Sequence, residues 1–188
     1  ILEQDDVPKE FCELAYQKTG GNPFFVEEVI RSLREEQLIF REGNRWKIRE
    51  VSGIEFPETV KSVVKARVGR LDDECRNLLT MASFIGYDFS FEALRGATGF
   101  EENKLVELLE RMLKTGLIKE RVVRGEDAFS FADAIVRDVV HEEVSRLTHR
   151  RLHHVVGNAL EKVYASKIDD HLAELAYQFL ESNDRDKA

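Results

Sequence analysis

The chain has 188 residues, 43% hydrophobic and 34% charged, with a net charge of −8 from 28 basic and 36 acidic residues. This composition suits a globular fold long enough for one large core or two small ones. It holds no apolar run near the roughly 18 residues of a membrane-crossing helix. The acidic balance repels nucleic acid at long range and persists along the chain, at −4 over 1–56, −3 over 57–148 and −1 over 149–188.

The first residue is Ile1, and no basic segment followed by an apolar one opens the chain. The expectation is a fragment of a longer cytoplasmic protein without a leader. Cys12 and Cys75 are too few for a disulfide framework or a zinc site, and read as two reduced thiols.

Asp5-Asp6-Val7-Pro8 predicts a helix start, with Phe11, Leu14 and Ala15 as its apolar stripe and a stop at Thr19-Gly20-Gly21. Asn22 then caps a second helix that has Pro23 in its first position. The stripe of this helix is Val26, Val29, Ile30 and Leu33. The segment LIFREGNRWKIRE predicts a short hairpin turning at Glu42-Gly43-Asn44.

A second unit begins at Pro57, with Val60, Val63, Val64, Val68 and Leu71 at helical spacing. Asp72-Asp73-Glu74 opens a helix with charge suited to its dipole; Leu78, Leu79 and Ala82 form its buried face, and Gly86 ends it. Ser90 caps a short helix bearing Phe91 and Leu94. Glu101-Glu102 opens another, with Leu105, Leu108, Leu109, Met112 and Leu113 inward and Gly116 as terminator. GLIKERVVRGEDAFSF predicts two strands joined by Arg124-Gly125-Glu126-Asp127. Helices followed by a hairpin are the winged-helix order, whose third helix enters the major groove in DNA-binding members.

The remainder predicts helix throughout. One stripe is Ile135, Val136, Val139, Val140, Val144 and Leu147. The next is Leu152, Val155, Val156, Ala159, Leu160 and Val163, and HLAELAYQFL forms a last helix.

Catalytic signatures are missing. There is no G-x-x-x-x-G-K-[ST] phosphate loop. Ser83, in MASFIG, is no nucleophile elbow. His141-Glu142 lacks the second histidine of a zinc protease. His149 and His153 share a helix face beside His154. Arg150 and Arg151 would repel a cation there, so a polar helix face is the preferred reading and no metal ligand is assigned. An anion-binding face of Arg150, Arg151 and His154 gives way to plain surface solvation.

Thr19-Gly20-Gly21-Asn22-Pro23-Phe24-Phe25-Val26-Glu27-Glu28-Val29 resembles the "GGNPFFVEE" segment of STAND-class, AAA+-related signal-transduction ATPases. That class includes large ATP-binding transcription regulators and ATPase modules attached to cyclases or kinases. Later segments resemble the class in the same order: Phe56–Val60, Leu78–Gly86, Phe131–Asp138 and Glu174–Leu180. The resemblance implies a helical lid, a winged-helix domain and the start of a TPR-like repeat array, with the phosphate-loop domain upstream. It also implies that Gly21, Asn22 and Pro23 meet the adenine of ATP or ADP in the full-length parent. Asp133 stands where many members carry a histidine that senses the ADP phosphate. A carboxylate cannot donate to phosphate at neutral pH.

The expectation is therefore a mainly α fold with small β-hairpins, divided into a lid segment with hairpin (1–56), a winged-helix domain (57–133) and a helical region leading into repeats (134–188). The chain itself is expected to be a non-catalytic regulatory fragment with no bound cofactor. It would couple the nucleotide state of an upstream domain to downstream repeats or a protein partner, with no membrane contact and no specific DNA. The alternatives are a winged-helix DNA-binding transcription regulator and a protein-interaction scaffold.

Overall fold

The computed structural model describes residues 7–43, 45–49, 59–123, 126–184 and 186–187. Asp5 and Asp6, Asn44, the Phe56–Glu58 helix start and the Arg124-Gly125 turn lie outside the described residues. The chain divides into two compact units, Ile1–Arg70 and Leu71–Ala188. The fold is mainly helical with two small antiparallel sheets, and no helix among the described residues is long and apolar enough to cross a membrane.

Unit 1 contains α1 (Lys9–Thr19), α2 (Pro23–Glu35), β1 (Ile39–Glu42), β2 (Arg45–Ile48) and α3 (Val60–Gly69). Apolar residues three and four apart on α2 give it one buried face: Phe25, Val29, Ile30 and Leu33 close on Phe11, Ile39 and Val63. The hairpin pairs Ile39 with Ile48 and Arg41 with Trp46. Arg34 lies over the Trp46 ring at 4.8 Å. Thr59 caps α3 in a reciprocal box with Ser62. The sequence reading groups this helix with the residues that follow it. Here it packs with α2, through Val63 in the core and Arg67 against Glu28, which carries unit 1 on to Arg70.

Unit 2 runs α4 (Asp73–Ile85), β3 (Asp88–Ser90), α5 (Phe91–Thr98), α6 (Glu102–Thr115), β4 (Ile118–Val123), β5 (Glu126–Phe131), α7 (Ala134–Glu142), α8 (Arg146–Val163), a 3-10 turn (Ile168–His171) and α9 (Leu172–Ser182). The sheet order is β3-β5-β4, all antiparallel, with Phe89 opposite Phe129 and Ile118 opposite Phe131. Asp72, Ser90, Asp133 and Ser145 cap α4, α5, α7 and α8 by accepting backbone N–H groups. Leu78, Leu79, Phe84, Leu94, Leu105 and Leu108 are fully buried.

Two features of unit 2 depart from the sequence reading. The strand β3 is not foreseen, because three residues with only Phe89 buried are too short to display an alternation. The apolar stripe from Ile135 to Leu147 is broken: α7 ends at Glu142, Ser145 starts α8, and Leu147 is 81% exposed. At the far end, Gly157 brings α8 and α9 close, since a Cβ there would lie 2.9 Å from the Phe179 ring. Leu175, Gln178 and Phe179 are buried on α9, while Leu172 and Leu180 remain 56% and 63% exposed.

Candidate functional site

In unit 1 the turn between α1 and α2 is built from two successive left-handed glycines, Gly20 at φ 61° and Gly21 at φ 73°. Side chains rarely adopt that backbone. Buried Thr19 organises the turn: its hydroxyl donates to the Ala15 carbonyl (2.7 Å) and accepts from the Gly21 N–H (3.3 Å). Asn22 Oδ1 accepts from the N–H groups of Phe24 (3.1 Å) and Phe25 (3.3 Å), satisfying two of the unpaired donors of α2. Gly21, Asn22 and Pro23 are adjacent and exposed. The Tyr16 ring lies against Gly21, where a Cβ would come within 2.8 Å of it. Tyr16, itself 68% exposed, is a neighbour of the turn that the sequence reading does not single out.

Below this turn Glu28, one of the two glutamates in the VEE segment, is buried and ion-paired to buried Arg67 of α3. Two charges out of water demand each other. No sequence pattern links residues 39 positions apart. Glu28, part of the segment that carries the resemblance, thus has a structural task in tying α2 to α3.

Asp133 belongs to unit 2 and the Gly21–Pro23 turn to unit 1. Its carboxylate accepts from the Ile135 N–H at 3.0 Å and starts α7. Arg137, one turn on, donates from Nε to the Ser83 carbonyl (3.0 Å) and ties α7 to α4.

Unit 2 also gathers three imidazoles, and His153, which the sequence reading places on a polar helix face, is instead fully buried because α9 packs over it and Gln178 meets its ring. The end of α7 supplies His141, and α8 supplies His149 and His153. One candidate ligand atom from each lies within 4.8 Å of the others. The rings surround Phe84: His141 stacks on it at 4.3 Å, and His149 and His153 meet it edge-on at 5.0 and 4.9 Å. Burial, with the neighbouring His149 and Arg137 charges, pushes His141 down from 6.5 to about 4, so it is neutral at physiological pH. Burial also pulls His153 down. The His149/His153 spacing of four is legible in the sequence. The third member is not, because the break at Glu143–Ser145 is what folds His141 back onto them.

On α6, the helix the sequence reading compares with a groove-entering recognition helix, two of the three cations are paired with carboxylates. Lys104 pairs with Glu74 at 2.8 Å, and Arg111 pairs with Asp72 and Glu107.

Residues 4–46 match a family described as a domain of unknown function (DUF8739). Over 159 residues, 77% of this chain, the sequence is 26% identical to the peroxide stress-activated histidine kinase mak3 of Schizosaccharomyces pombe. Over 110 residues, 56% of this chain, it is 24% identical to the hybrid signal transduction histidine kinase G of Dictyostelium discoideum. The matches span 7% and 3% of the lengths of these two relatives.

Proposed function

We propose that this chain is a non-catalytic regulatory segment of a larger STAND-type signalling protein, coupling the nucleotide state of a phosphate-loop domain to helical repeats or a bound protein. The observation that carries the reading is the order of unit 2 after a lid-like helix pair: helix, strand, helix, helix, strand, strand, with the strands arranged β3-β5-β4. That is the order of a winged helix. Further support comes from the exposed Gly21-Asn22-Pro23 turn, where glycine permits close approach and the Pro23 ring offers an apolar surface to a base. The two relatives, each a histidine kinase by name, match this chain over only 7% and 3% of their own lengths. That suits a regulatory segment such as the ATPase modules attached to kinases.

The DNA-binding alternative is disfavoured because Lys104 and Arg111 already meet carboxylates, and a groove-binding helix needs its cations for phosphates. The scaffold alternative draws on the exposed Leu172 and Leu180 of α9. In the parent protein, Pro23→Ala should weaken ADP or ATP binding about three- to tenfold, within 1.4 kcal/mol, and leave the helical signal intact. Calorimetric titration checks this; unchanged affinity for both nucleotides would remove the nucleotide arm of the proposal.

A further inference from the structure

Hydrogen bonding around His153 settles which of its nitrogens is bare. Gln178 Nε2 donates to the Phe84 carbonyl at 2.8 Å, and only the nitrogen of an amide can donate. The Gln178 oxygen therefore faces His153 Nδ1, 2.7 Å away, and accepts from it. His153 Nδ1 carries the proton, and its Nε2 presents a lone pair. That Nε2 is buried and meets no hydrogen-bond partner among the described residues, and the same holds for His141 Nε2. A buried polar atom left unpaired costs about 1–3 kcal/mol, and here two of them lie in one cluster with His149. A ring nitrogen fixed by an outer hydrogen bond, with the other left bare and buried in a cluster of further imidazoles, matches how proteins hold histidine ligands to a metal.

We infer that His141, His149 and His153 bind a single divalent transition-metal ion, Zn²⁺ matching the donor set best, with Gln178 holding His153 in its ligating form. Three imidazoles with a further position open form a recognised zinc arrangement. Bonds of about 2.0–2.1 Å in a tetrahedral site place ligand atoms about 3.3 Å apart. The three candidate atoms, all within 4.8 Å, reach that by modest ring rotations, chiefly of half-buried His141 and His149.

His149 also lines an open depression of about 490 Å³ with Arg146, Arg150, Glu181 and Asn183, which gives an ion a way in. The surrounding charge is mixed. Arg137, Arg146 and Arg150 oppose a cation, while Glu181 in the same depression and Asp138 on α7 favour one.

The test is calorimetric titration of the chelator-treated 188-residue chain with Zn²⁺ at neutral pH, alongside nitrogen NMR of its five histidines. The expected result is one Zn²⁺ per chain with a Kd of about 1 μM or below, a loss of about a hundredfold in affinity in His149→Gln, and about tenfold to hundredfold weakening in Gln178→Leu. In the unmodified chain the ring-nitrogen shifts should be confined to His141, His149 and His153. Absence of one-to-one binding at 100 μM Zn²⁺, unchanged affinity in a folded His149→Gln, or shifts at His154 and His171 instead would each overturn the assignment. The NMR arm needs no variant, so it decides even if a substitution unfolds the chain.

Discussion

The two units fix their helices to one another by opposite chemistry. Unit 1 buries a full ion pair, Glu28 with Arg67, between α2 and α3. Unit 2 buries a neutral chain, running from the Phe84 carbonyl through the Gln178 amide to the His153 imidazole, between α4, α9 and α8. An ion pair in a low dielectric depends wholly on both partners, since either one left alone is an uncompensated charge. A neutral chain loses less when disturbed, and its imidazole end can take up a proton or a metal. The difference teaches that unit 1 is built to hold one arrangement, whereas unit 2 has chemistry that solution conditions can reach.

Breaking the ion pair should have the largest effect. Glu28→Ala is expected to destabilise unit 1 by about 3–5 kcal/mol. The only tryptophan, Trp46, lies in unit 1, so its fluorescence in a urea titration follows that unit alone. A loss below about 1 kcal/mol would mean that water reaches Arg67.

A smaller change should come from Gly157→Ala. Alanine favours a helix interior by up to about 1 kcal/mol over glycine, but the new methyl would press on Phe179 and Gln178. Overpacking costs about 1–3 kcal/mol, so unit 2 should lose roughly 1–2 kcal/mol while the Trp46 transition stays in place. Far-UV circular dichroism, which weights the longer unit 2, reads this; a rise in stability would show that α9 has room to retreat.

A further contrast is in pH. His141 is held at about 4 in the fold against 6.5 for a free imidazole. Above 6.5 both states are neutral and the full stability is present. As pH falls from about 6.5 to about 4 the unfolded chain gains a proton that the fold refuses, so stability declines across that window and levels off below it. The ionisable groups facing His141 are His149, His153, Arg137 and Asp138. Denaturant midpoints of unit 2 should therefore drop over this range, and His141→Phe should flatten the slope. An unchanged slope in that variant would assign it to other groups.

Much of this architecture is legible in the sequence because the helix ends are chemically marked. Asn22-Pro23, Asp72, Ser90 and the glycines at 20, 99 and 116 fall where helices start or stop. The exposed Gly21–Pro23 turn is legible for the same reason. What is not legible depends on distance along the chain. The partner of Glu28 is 39 residues away, the partner of Gln178 at Phe84 is 94 residues away, and Phe89 becomes a strand residue only by pairing with Phe129. The apolar run through Val144 and Leu147 reads as one helix, since periodicity does not register the cap that Ser145 supplies.

Each unit also carries one thiol, and the two differ in access. Cys12 is exposed on α1, while Cys75 is buried in the first turn of α4, where burial and the Asp72 carboxylate push its thiol up and away from the reactive thiolate. Thiolate and exposure together govern alkylation, so a maleimide finds Cys12 at once and Cys75 only when the start of α4 opens. The molecule thereby comes with a built-in handle on one unit and a clock on the other: the modification rate of Cys75 counts the openings of unit 2 without any label being engineered into it.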